Sequence, residues 1–173
     1  MQLSLLDPVA TLRSRYDYII FDCPPRLSLV SYAALCASDY VIIPLEAADW
    51  GAQGIMQVTE AIRYVQRRSN SNLRLLGYLV SRFRRARAYQ QSYLHQLRKH
   101  FGPLAFDTVI PDLAQFEKSV TDRIPLTVHA KRSEEAGIAR SFVAEVERRC
   151  QGIGGGRVGG GKRHVRRAAV VAT

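Results

Sequence analysis

The stretch YDYIIFDCPP, residues 16–25, runs four apolar or aromatic residues into Asp22 and then reaches Pro24 and Pro25. A carboxylate at the end of a short apolar strand has the hard oxygens that suit a divalent cation such as Mg²⁺. In an open parallel sheet, ligands bind beyond the carboxyl ends of the strands, and Asp22 stands at such an end. The prolines lack N–H donors and push the residues before them out of helical geometry, so the chain leaves along a stiff extended path. The other reading of Asp22 is a strand-ending aspartate that caps the next helix. A second group has the types to meet a polyanion: Arg82, Arg84, Arg85 and Arg87 precede a helix carrying Tyr89 and Tyr93. Guanidinium groups in such a run neutralise phosphates, giving salt-dependent binding without sequence preference. The alternative for the arginines is a solvated surface, and for the tyrosines, which fall on the apolar stripe of their helix, a place in the core.

The elements that must position these groups alternate. Asp7 and Pro8 read as a helix start, with Asp7 as cap and Pro8 at the first helical position. YDYIIF reads as a buried strand, LSLVSYAALCA as a small-residue helix and DYVIIP as a second buried strand. Ile55, Val58, Ile62 and Val65 recur at helical spacing, and SNSN ends that helix. LRLLGYLVS predicts a third strand. Tyr89, Tyr93, Leu94, Leu97 and Phe101 predict one face of a helix closed by Gly102-Pro103, and LAFDTVIP predicts a fourth strand. Ser133 with Glu134 and Glu135 opens a last helix. Strands alternating with helices predict an α/β fold, a doubly wound and mostly parallel sheet with flanking helices. The expected organisation is one domain over residues 1–150 and a disordered Gly/Arg-rich basic tail over 151–173.

Charge is unevenly distributed along the 173 residues. The net charge is +10, yet residues 61–106 hold 10 basic and no acidic side chains, and residues 151–173 hold 5 and none. A block of that length without a carboxylate exceeds what solubility requires and points to a polyanionic partner. Cys23, Cys36 and Cys150 lack metal-ligand spacing and read as reduced structural thiols. Residues 1–12 lack the basic and apolar regions of a signal peptide, and no long apolar run follows, so a cytoplasmic protein with no membrane partner is expected.

An apolar strand ending in aspartate is also the Walker-B pattern, in which the carboxylate holds Mg²⁺ near nucleotide phosphates. YDYIIFDCPPRLSLVSYAALCASDYVIIPLEA, followed by GIMQVTEAI, resembles the region from the Walker-B strand onward in the ParA/Soj partition ATPases of the ParA/MinD deviant-Walker group. The resemblance continues through LRLLGYLVSRF, HFGPLAFDTVIP and SVTDRIPLTVHAKRSEEAGIARSFVAEV, covering about residues 12–148. It implies a P-loop NTPase-like fold, ATP and Mg²⁺ as cofactors, a homodimer that sandwiches nucleotide, non-specific binding to DNA and hence to the nucleoid, and a ParB-like activating partner. It implies that Asp22 is the catalytic, metal-holding aspartate, that Ser81, Arg82 and Pro111 lie beside the adenine, and that Arg82, Arg84, Arg85 and Arg87 contact DNA.

The resemblance also predicts what this chain alone does not do. Family members carry a Lys-Gly-Gly-rich P-loop on a strand before the Walker-B strand, and that strand should neighbour YIIF. No such segment precedes Asp22 here, so ATP binding and hydrolysis by this chain alone are not expected. GRVGGGK, residues 156–162, fits the P-loop spacing but has Arg163 where a Ser or Thr should hold Mg²⁺. It reads as part of the basic tail. Lys118 and Lys131 read as surface lysines. Two alternatives to a partition protein stand beside it: a nucleotide-independent basic DNA-binding module, and a truncated fragment without function.

Overall fold

The computed structural model describes residues 5–24, 27–47, 52–153 and 167–172. Four strands form one sheet in the order β1-β4-β2-β3, where β1 is Tyr18–Cys23, β2 is Tyr40–Glu46, β3 is Arg74–Ser81 and β4 is Arg167–Ala172. Strand β4 is parallel to both β1 and β2. The helices are α1 (Leu6–Arg13), α2 (Leu29–Ala37), α3 (Ala52–Arg68), α4 (Ala88–Phe101), α5 (Ala114–Asp122), α6 (Leu126–His129) and α7 (Glu134–Ile153). An α/β fold with a parallel sheet and flanking helices is therefore what the sequence folds into. Among the described residues, no helix is long and apolar enough to cross a membrane.

The chain divides into two compact units. One comprises Met1–Pro44, Gly51–Gly77 and Gly156–Thr173; the other comprises Leu45–Trp50 and Tyr78–Gly155.

In the first unit, β1 departs from the fully buried strand expected. Its residues alternate, with Tyr18, Ile20 and Asp22 exposed while Ile19 and Phe21 pack with Leu5 against Val9 of α1 and Ala37 of α2. Ile20 is 70% exposed. The two-residue period of a strand therefore carries Asp22 to the open face. Strand β2 is buried through Val41, Ile42 and Ile43, as its continuous apolar run predicts. Helix α1 starts two residues earlier than expected, at Leu6 and not Pro8, so Asp7 falls in its first turn and makes no capping bond. Helix α2 begins with a reciprocal cap: the Ser31 N–H donates to Ser28 Oγ, and the Ser28 N–H donates to Ser31 Oγ. At the other end of α2, Asn70 Nδ2 donates to the carbonyls of Leu35, Cys36 and Ser38, at 3.3, 3.1 and 2.6 Å. One amide thus satisfies carbonyls that a helix terminus leaves orphaned.

The tail expected to be disordered holds regular structure at both ends. Helix α7 continues to Ile153, and residues 167–172 form β4. The run Ala-Ala-Val-Val-Ala is apolar and partly β-branched, a composition that an interior parallel strand accepts. Residues 154–166, which include GRVGGGK, lie outside the described residues. The regular strand next to that motif follows it, whereas a P-loop needs a strand before it.

In the second unit, the expected fourth strand is reduced to two bridges, Tyr78 with Ala105 and Phe83 with Pro111. Glu145 is the cause. Its carboxylate, 3% exposed, accepts the N–H groups of Asp107 and Thr108 at 2.9 and 2.8 Å, which turns those residues away from the ladder. Arg149 binds the same carboxylate at 2.8 Å, donates to the Pro103 and Ala105 carbonyls and lies 4.1 Å over the Phe106 ring. Sequence patterning also passes over α5 and α6, which are short and weakly buried. Helix α4 ends at Gly102, whose φ of 51° is the left-handed geometry that glycine adopts without strain. Helix α7 starts as predicted, with the Ala136 N–H donating to Ser133 Oγ.

The bonds of Asn70 and Glu145 each carry a stability prediction. Asn70→Asp, which keeps the size but removes the NH₂ donor, is expected to cost about 1–3 kcal/mol, as much as Asn70→Ala. Urea unfolding checks this, and a wild-type midpoint in Asn70→Asp would contradict it. For Glu145, burial works to raise the pKa, but the bonds from Thr108, Asp107 and Arg149 outweigh it and leave it lowered. The stability that Glu145 contributes is therefore complete above the ordinary carboxylate value of about 4.3 and is lost as pH falls through the lowered folded-state value. Glu145→Gln is expected to cost about 1.5–3 kcal/mol at neutral pH and to flatten the loss of stability below about pH 4.3. Parallel acid limbs for the two proteins would count against this.

Candidate functional site

Asp22 is the penultimate residue of β1 and its side chain is exposed, as a metal-holding or capping carboxylate requires. It does not cap α2, since Ser28 does. The next residue, Cys23, is buried; burial and then the Asp22 charge push its thiol pKa up. Cys23, Cys36 and Cys150 are buried and unbridged. Pro24 is exposed, whereas Pro25 lies outside the described residues. Among the described residues, no three His, Cys, Asp or Glu side chains converge as a metal cluster. Asp22 therefore offers Mg²⁺ a single carboxylate, the arrangement in which most of the metal's ligands are waters and phosphate oxygens. This single carboxylate would suit a metal brought with a nucleotide, and the described residues form no cage of their own. The first unit also holds a cleft of 570 Å³ lined by Leu27, Tyr32, Glu60, Arg63, Tyr64 and Arg67 among others, with Tyr32 edge-on to Tyr64; Asp22 is not part of its lining.

The remaining candidates belong to the second unit, where the structure brings them together. The Ile110 N–H donates to the Val80 carbonyl, the Phe83 N–H to Ile110 and the Asp112 N–H to Phe83, at 2.9, 3.1 and 3.1 Å. These bonds hold Pro111 beside the end of β3, next to Ser81 and Arg82. Ser81 Oγ donates to the Leu45 carbonyl at 3.5 Å. Arg82 has a φ of 52°, a strained backbone for a residue with a Cβ, and its guanidinium lies 3.3 Å from Glu46.

That left-handed residue starts the arginine loop, which is pinned from below. The Gln90 side chain, 3% exposed, accepts the Arg84 N–H at 2.6 Å, and Gln91 Nε2 donates to the Arg85 carbonyl at 2.6 Å. Arg84 pairs with Asp112 at 2.6 Å. Arg85 and Arg87 are exposed, and Arg87 donates to the Tyr89 hydroxyl at 2.8 Å. The bond from Arg87 is the main reason the Tyr89 pKa is lowered. Tyr89 corrects the sequence reading: it is 52% exposed and flanks the arginines, while Tyr93 and Leu97 alone of that stripe are fully buried. Helical periodicity places Tyr89 in the core because it ignores the helix end, where a first-turn side chain has no neighbour above it. Gln90 escapes sequence reasoning altogether; a glutamine in an otherwise basic segment carries no sequence signal for the buried bond it makes. Lys118 and Lys131 are exposed, as expected.

Comparison with known proteins reports on the same segments. A sequence-family model described as an AAA domain matches residues 2–75. The chain is 28% identical over 145 residues to the sporulation initiation inhibitor protein Soj of Bacillus subtilis, covering 84% of this chain and 57% of that protein. It is 32% identical over 136 residues to the chromosome-partitioning ATPase Soj of Thermus thermophilus, covering 79% and 55%. The chain thus spans about half the length of the curated relatives it matches. Among solved structures, cobyrinic acid a,c-diamide synthase from Mycobacterium smegmatis superposes with a TM-score of 0.68 at 23% identity, over 90% of this chain and 56% of that one, which shows a shared fold. That enzyme has also been solved with a bound ATP analog and magnesium. This similarity to proteins named Soj and ParA, together with the AAA-domain match, shows that the chain belongs to the ParA/Soj family.

Proposed function

We propose that this chain serves DNA partitioning as a non-specific DNA-binding member of its family, with Arg85, Arg87 and Tyr89 as the principal contacts and Arg82 and Arg84 in support. The observation that carries this reading is the pinned loop itself, two exposed guanidiniums and an exposed phenol on a backbone held by Gln90 and Gln91. A fixed loop presents its cations without the ordering cost of a disordered run, and phosphate contacts supply affinity that falls with salt. The ion pairs of Arg82 and Arg84 do not remove them from use, because both guanidiniums are more than half exposed and such pairs are weak.

Nucleotide enters the proposal on the family's terms. Asp22 would hold Mg²⁺, which neutralises phosphate charge when bound, and Ser81, Arg82 and Pro111 would flank the adenine. A single carboxylate positions a metal only where phosphates are already held, so hydrolysis is not proposed for this chain by itself. Homodimerisation, a ParB-like activator and a nucleoid-associated cytoplasmic location complete the reading, as the resemblance to the family implies.

The test is titration of a fluorescent duplex of arbitrary sequence across 50–300 mM salt without ATP. Arg85→Ala/Arg87→Ala is expected to weaken binding and to reduce the log–log salt slope by about 1.8, roughly 0.9 for each phosphate no longer neutralised. Tyr89→Ala should weaken binding with little change in slope, since the tyrosine carries no charge. Wild-type affinity and slope in the double variant would overturn the assignment.

A further inference from the structure

The cleft between α2 and α3 contains neither Asp22 nor any residue of the arginine loop. It follows from the way α3 is seated. Ala61, Ile62 and Val65 are buried, which leaves Glu60, Arg63, Tyr64 and Arg67 on the exposed side of the helix, and the small Ala61 forms part of the lining. Tyr32 of α2 meets Tyr64 with ring centroids 6.2 Å apart and planes at 84°. Such an edge-on pair covers one ring face of four, so aromatic surface is left for a third ring, and Tyr64 is 43% exposed. Arg63 and Arg67 stand one helical turn apart, and neither is paired with a carboxylate among the described residues. Like charges at that spacing repel, and an anion seated against both relieves the repulsion. The 570 Å³ of the cleft falls within the range of about 300–1,000 Å³ common to small-molecule sites.

We propose that this cleft binds a nucleoside monophosphate, free or as an unpaired unit of a nucleic acid strand, with the base against Tyr32 and Tyr64 and the phosphate on Arg63 and Arg67. Both moieties are needed to use the lining. A bare phosphate leaves the tyrosines uncovered, and an uncharged nucleoside leaves the guanidiniums without an anion. Glu60 limits the charge: a carboxylate in the same lining repels the further phosphates of a di- or triphosphate, while it accepts hydrogen bonds from the N–H groups of a base. Bases paired and stacked in a duplex present no free face to the rings, so duplex DNA does not compete. The site is thus separate from the nucleotide position proposed around Asp22 and does not depend on it.

Calorimetric titration of the full chain in magnesium-free buffer tests this, with adenosine 5′-monophosphate, adenosine, inorganic phosphate and single-stranded oligo-dA as probes. The Arg85→Ala/Arg87→Ala chain is used throughout, so that the arginine loop does not contribute and its own failure is scored separately. The monophosphate is expected to bind with a Kd below about 1 mM and roughly tenfold or more tighter than adenosine or phosphate alone. Arg63→Ala, Arg67→Ala and Tyr64→Ala should each weaken it about tenfold, and alanine at these exposed helical positions keeps the fold. Oligo-dA binding more tightly per nucleotide than the monophosphate, and weakened likewise by Tyr64→Ala, makes a strand the source of the ligand; the reverse order makes it the free nucleotide. Absence of binding by both at 1 mM overturns the site, as does inorganic phosphate binding as tightly as the monophosphate. Binding lost in Asp22→Ala but kept in Arg63→Ala/Arg67→Ala would move the ligand to the sheet end and overturn it too.

Discussion

The first unit is organised around the hydrogen bonding of β4 to two neighbours at once. A parallel strand cannot be added by a tight turn, so an interior position must be filled by a chain segment that arrives from elsewhere in the sequence. Here a C-terminal segment takes that place between β1 and β2. With β4 seated, one edge of β1 is satisfied and its inner face, Ile19 and Phe21, is packed on Val9 and Ala37. The outer face follows from pleating, and Asp22 is carried out with Tyr18 and Ile20. The exposure of Asp22 is thus a consequence of register.

The second unit rests on a different interaction with the same logic. Glu145 and Arg149 form a buried acid–base pair that collects the N–H groups of residues 107 and 108 and the carbonyls of residues 103 and 105. Charge-assisted bonds to backbone are strong, and here they take the place of a strand ladder. The segment they fix runs on to Pro111 and Asp112, whose backbone holds Phe83 and whose carboxylate holds Arg84. The arginine loop is rigid at its base and open at its tip, a division suited to charge presentation. On the proposed function this loop would serve folding and polyanion recognition together, with Gln90 and Asp112 positioning the arginines.

Much of this is legible in the sequence because the relevant signals are local. Continuous apolar runs mark β2 and β3, Ser133 marks the start of α7, and YIIFDCPP marks the strand end that carries Asp22. The failures are of another kind. β4 is hidden because a short Ala/Val run beside glycines and arginines has the composition of a tail, and only pairing partners far away in sequence make it a strand. LAFDTVIP looks like a full strand because its alternation is correct, while the carboxylate that diverts its N–H groups lies 38 residues further on. Tyr89 is assigned inward by a periodicity that holds in the middle of a helix and not at its end. Long-range competition for backbone hydrogen bonds is the physics that patterning does not contain.

The most direct measurement of this account is amide hydrogen exchange across residues 18–23, 40–42 and 167–172 of the intact chain. An interior strand bonded on both sides predicts slow exchange in the 168–171 amides, with protection rising and falling together with that of β1 as denaturant is added. Exchange of 168–171 at the rate of an unstructured peptide, while β1 stays protected, would contradict it.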